Sequence, residues 1–158
     1  MKPLSDRFGR RGMALIALGG IWCLFGIGLL VAPEREPLHP GAFHELLPGY
    51  WRGVAWLATG AFAIIVGLRG SRADDTAGHV ALWLMPALRL LSFVGAWLLW
   101  IGSTTVNALG GHMAPQGDPD AWAAAAIWVM VTVLLRVIAA WPNPATLTAR
   151  PYRMDADQ

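Results

Sequence analysis

The side chains with the chemistry to hold a metal ion are His39, His44, Glu45, His112, Asp118 and Asp120. Zinc sites draw their ligands at short, regular spacings on one scaffold, and these six do not show that pattern. The string HELLP at His44–Pro48 lacks the second His that a helical HExxH pair requires, and it ends in a proline. No metal site is therefore expected. His44 and Glu45 are instead expected to cap or orient the start of the apolar stretch that follows. The lone thiol, Cys23, sits inside an apolar stretch with no second cysteine to pair with, which makes it a small packing residue. No serine has a general base in evidence, so nucleophilic catalysis has no support. The chain is read as a non-enzyme, with no catalytic, cofactor-binding or metal-ligating residues. Ser103, Thr104, Thr105 and Asn107 form a short polar patch that either lines a pore or marks an interface.

The most unusual polar residue is Arg89. It lies within the apolar run from His79 to about Leu109, about 15 Å along a helix axis from its start. A charge at that depth in a membrane is costly and marks a functional candidate. The alternative is structural. The run exceeds what a bilayer needs, so it can slide or kink at Pro86 and let the long side chain reach an interface. Arg136 and Arg52 lie near the ends of their apolar stretches and are expected to snorkel. Arg89 and Arg136 are the two intramembrane charges.

The elements that position these residues are four apolar stretches, Met13–Ala32, Gly49–Leu68, His79–Leu109 and Ala121–Trp141. Each reaches the roughly 20 residues needed to cross the hydrocarbon of a bilayer. With 56% hydrophobic residues and 14% charged ones in 158, no connecting segment is left to build a soluble core. The reading is an all-α fold: one membrane domain over 1–158, a four-helix bundle with spans at 13–32, 49–68, 80–102 (extendable to 109) and 121–141. The first stretch is too long for the apolar part of a signal peptide, and it is kept as a true span. No Asp or Glu falls inside a span, which argues against a proton-driven carrier, and paired broken-helix signals are missing too.

Basic residues set the orientation. Lys2, Arg7, Arg10, Arg11, Arg69, Arg72, Arg150 and Arg153 fall on one side, against Arg35 and Arg52 on the other. Both termini are therefore expected in the cytoplasm, with the protein a multi-pass component of its membrane. The net charge of +2 does not indicate nucleic acid, because the basic residues lie at membrane edges and no nucleic-acid motif accompanies them. The lipid bilayer is the expected partner, with anionic lipid drawn to the basic amino terminus.

Glycines recur every seven residues: Gly12, Gly19 and Gly26 in the first span, Gly53, Gly60 and Gly67 in the second, Gly95 and Gly102 in the third. A seven-residue period keeps one stripe facing a partner, and glycine allows helix backbones to approach closely in lipid. These eight are the expected helix-packing residues. The seam they form lies either within one chain or between copies in a homo-oligomer. The fourth span carries Ala123–Ala126 and Ala139–Ala140 in their place.

The strings RRGMALIALGGIWCLFGIGLL, HELLPGYWRGVAWLATGAFAII, MPALRLLSFVGAWLLW and AAIWVMVTVLLRVIAAWP resemble the small, uncharacterised four-span membrane proteins of actinobacterial phages and prophages. The resemblance covers nearly the whole chain. It implies no transferable catalytic residue, and it implies a phage-type protein acting by self-association, holin-like in lysis. The alternative from another class is a membrane scaffold or partner that engages a phage or host membrane protein without forming a pore.

Overall fold

The computed structural model describes residues 4–32, 48–69 and 75–141, and of residues 4–7 and 49 the backbone alone. Among the described residues the fold is all-helical: α1 Leu4–Val31, α2 Gly49–Leu68, α3 Thr76–Ala108 and α4 Ala121–Ala139. All four are long and apolar enough to cross a membrane. The chain is thus a helical bundle of the multi-pass membrane class. α1 is interrupted at Gly9, whose φ of 69° lies in the left-handed region that glycine tolerates. Its straight part begins just after.

α1 and α2 form an antiparallel hairpin along the glycine stripe. Gly12 meets Gly67, Gly19 meets Gly60 and Gly26 meets Gly53. Each step of seven along α1 is matched by a step of seven back along α2. A Cβ on Gly19 would stand 2.6 Å from the Gly60 carbonyl oxygen, and one on Gly60 equally close to that of Gly19. Only the bare backbone fits there, and the reward is dispersion contact along the whole pair.

α3 and α4 make the second hairpin, and α2 packs on α3 to join the two. The main core cluster gathers Leu15, Trp22 and Leu29 of α1, Trp56, Ala63 and Val66 of α2, Leu82 of α3 and Leu135 of α4. A second cluster of Phe93, Ala96, Ala121 and Ala125 closes the α3–α4 pair toward the other end.

α3 starts at Thr76, before the expected 80, and at its other end takes up the extension toward 109 that the apolar run allows, ending at Ala108. From Thr76 to Ala96 it runs beside α4, about 30 Å, which matches the hydrocarbon thickness. Beyond Ala96 it continues to Ala108, about 18 Å further, past the first residue of α4. The chain from Leu109 to Asp120 then returns along this extension before α4 begins. Three attachments hold it. The Asn107 side-chain amide donates to the Met113 carbonyl at 3.0 Å while its oxygen accepts the Met113 N–H at 2.7 Å. Ser103 Oγ accepts the Gln116 N–H at 3.3 Å. The Asp118 N–H donates to the Ala96 carbonyl at 3.3 Å. Gly117, at φ 80°, lies against that same carbonyl so closely that no side chain fits.

Candidate functional site

Arg89 stands in the middle of the bundle with 8% of its surface exposed. Its guanidinium carbon lies 5.4 Å from the centroid of the Phe25 ring of α1, 5.5 Å from Trp128 of α4 and 5.9 Å from Trp56 of α2. Every other helix therefore contributes one ring to the enclosure of this α3 side chain. The rings also hold one another. Trp56 meets Phe25 edge-on at 4.9 Å and Trp22 edge-on at 5.2 Å, and it lies tilted against Trp128 at 6.0 Å.

The arrangement explains how a charge is tolerated there. Placing an arginine at the centre of a membrane helix costs about 2.5–3.5 kcal/mol on insertion scales. A desolvated cation–π contact returns about 2 kcal/mol, so three rings around one guanidinium offset most or all of that cost. The side chain does not reach for an interface, despite the length of α3 and its internal Pro86. It ties four helices together at one level.

The other expected charges separate. Arg136 is exposed in the last turn of α4, where a cation meets the negative end of the helix dipole. Arg52, in the first turn of α2, is buried, at 8% exposure. The reason is its place one turn from Trp56, on the face of α2 that turns inward. A charge that the sequence does not single out, Arg11, pairs with Asp75 at 2.7 Å and so ties α1 to the start of α3.

The glycines divide in the same way. The six of α1 and α2 face one another within the chain, whereas Gly102 is exposed and a Cβ there would meet nothing within 4 Å. Gly95 is half-buried. Gly102 therefore does not prolong the stripe inside the bundle. Cys23 is half-buried, with its Sγ 3.8 Å from the Leu57 carbonyl beside the Gly19–Gly60 crossing.

The polar patch serves the return loop. Ser103 and Asn107 hold it. Thr104 and Thr105 are exposed, and their hydroxyls donate to the Trp100 and Ile101 carbonyls of their own helix. Among the described residues no three His, Cys, Asp or Glu side chains gather. His39, His44 and Glu45 lie outside the described residues.

One feature of the core is detectable from a single residue. Pro86 has no N–H, so the carbonyl four residues earlier, Leu82, loses its helical donor. The Trp22 indole N–H fills that place at 3.2 Å.

No protein-family model, curated protein or solved structure matches this chain. Its class is therefore defined by its own features: a four-helix membrane bundle with a ring-enclosed arginine at its centre and one helix running past the end.

Proposed function

We propose that this is a non-enzymatic protein of a bacterial cytoplasmic membrane, with both termini in the cytoplasm, that acts as a scaffold or partner for another envelope protein. The observation that carries this reading is the extension of α3 beyond the bundle. It is held in shape by its own return loop, yet it leaves Leu98, Leu99, Val106 and Leu109 exposed, the last at 84%. Apolar side chains on a shaped element outside the bundle favour docking. The interior supports the same reading. The central arginine faces aromatic rings rather than a wet cavity, and the glycine seam is used up within one chain.

Self-association with a holin-like role is the second reading, and the phage connection rests on the resemblance alone. It is favoured by the exposure of Gly102, Ala123 and Ala126, small residues at which a second copy could approach closely.

One experiment separates them. The chain is expressed with a photo-crosslinking residue at Leu99 or Val106, and at Ile127 as a membrane-facing control, while membrane potential is followed. The scaffold reading expects intact potential and discrete heterologous adducts from Leu99 and Val106 but not from Ile127. Collapse of the potential, passage of a co-expressed endolysin and adducts between copies would reject it in favour of the holin-like reading.

A further inference from the structure

At the end of the bundle that carries Arg11, α3 and α4 part and leave a groove of about 720 Å³. That is within the usual range for small-molecule sites, roughly 300–1,000 Å³. The groove has two chemically different halves. Its mouth carries two guanidinium groups, Arg11 of α1 and Arg136 of α4, together with the His79 imidazole of α3. Its deeper walls are apolar, formed by Val80 and Trp83 of α3 and Val133 of α4. These three are exposed on the outside of the bundle, at a depth where the surroundings are acyl chains.

The mouth also holds donors without acceptors among the described residues. The Arg11 guanidinium donates to Asp75 through Nη2, but its Nε is buried with no hydrogen-bond partner there. His79 is nine-tenths buried, and its Nε2 has no such partner either; the nearest carboxylate oxygen, Asp75 Oδ2, stands 3.8 Å away. Of the charged groups described here, Arg11 and Asp75 balance each other, which leaves the charge of Arg136 uncompensated. A phosphodiester carries one negative charge and two free oxygens, and it takes hydrogen bonds readily from arginine.

We propose that this groove is a binding site for one anionic phospholipid of the phosphatidylglycerol class. Its phosphodiester sits between Arg11, His79 and Arg136, and one acyl chain lies along Trp83 and Val133. The apolar walls favour a lipid over a free phosphate ion, because an ion would leave them without a partner. The basic mouth favours an anionic lipid over a zwitterionic one. Basic pockets between membrane helices are a recurring means of headgroup recognition. The site lies at the opposite end from the α3 extension, and the inference is independent of the scaffold reading.

The test is lipid binding to the purified full chain in neutral detergent, read by native mass spectrometry and by thermal stabilisation. Phosphatidylglycerol is expected to bind as one copy per chain and to raise the melting temperature, with phosphatidylcholine giving little of either. Arg136→Gln should weaken binding about fivefold, the value of roughly one interfacial charge. Val133→Trp should block the groove and abolish binding while helicity is retained. Arg69→Gln removes an exposed charge that does not line the groove, and it should have no effect. Equal binding of the two lipids would overturn the proposal, as would an effect of Arg69→Gln as large as that of Arg136→Gln. Displacement of the lipid by millimolar inorganic phosphate would mark a free-anion site and overturn it as well.

Discussion

The Trp22 indole N–H donates to the Leu82 carbonyl at 3.2 Å, across the interface between α1 and α3. This bond joins two residues for a reason that begins with a third. Pro86 breaks the hydrogen-bond ladder of α3 at that carbonyl, and lipid offers no water to repair the break. An aromatic donor from a neighbouring helix does so, and Trp22 is thereby fixed in the core cluster that includes Trp56.

Trp22→Phe keeps an aromatic ring and removes the donor. It is expected to lower stability by about 1–3 kcal/mol, the cost of a buried carbonyl left without a partner. Pro86→Ala restores an N–H to α3, which can satisfy Leu82 internally. In that background Trp22→Phe should cost about 1 kcal/mol less, a coupling read from a double-mutant cycle of thermal or detergent unfolding. Strict additivity of the two changes would show that the indole bond and the proline are unrelated.

The glycine seam makes a prediction with an internal control. Gly60→Ala places a Cβ 2.6 Å from the Gly19 carbonyl oxygen and 2.9 Å from the Cys23 backbone nitrogen. Backbone cannot swing aside as a flexible side chain can, so the hairpin must separate, at about 1–3 kcal/mol. Gly20 and Gly28 lie on the facing helix, α1, but a Cβ at either meets nothing within 4 Å. Gly20→Ala and Gly28→Ala are therefore expected to be neutral or to gain up to about 1 kcal/mol from helix propensity. Equal melting temperatures for Gly60→Ala and Gly20→Ala would contradict this packing.

These contrasts show what the linear chain reveals. Four helices of membrane length follow from apolar run length, and the seven-residue glycine period in α1 and α2 corresponds to the contact between them. The period alone does not say which stripe finds a partner: Gly102 continues the pattern in α3, yet a Cβ there would meet nothing within 4 Å. The extent of α3 is ambiguous in the sequence because Leu98, Leu99 and Ile101 are as apolar as residues inside the bundle. Only the attachment of Asp118 to Ala96 fixes where the bundle ends. The charge of Arg89 is conspicuous in the sequence. Its surroundings are not, because Phe25, Trp56 and Trp128 come from three separate helices. No local spacing encodes that meeting.

That enclosure can be tested by the same logic. Phe25→Leu retains apolar bulk but removes a ring face from the guanidinium. With Arg89 present it should cost about 0.5–2 kcal/mol more than packing alone, the range of a partly to fully desolvated cation–π contact. In an Arg89→Met background there is no charge to stabilise, and the excess should vanish. Arg89→Met itself is expected to leave the bundle folded, since exchanging a buried charge for a well-packed apolar side chain is often neutral. The cycle is measured by unfolding in detergent, with helicity monitored at each corner. If Phe25→Leu costs the same in the Arg89→Met background as in the native chain, the rings are ordinary packing and the guanidinium is held by something else. A cost that depends on the charge would establish that the Phe25 ring helps to hold the Arg89 guanidinium in the bundle.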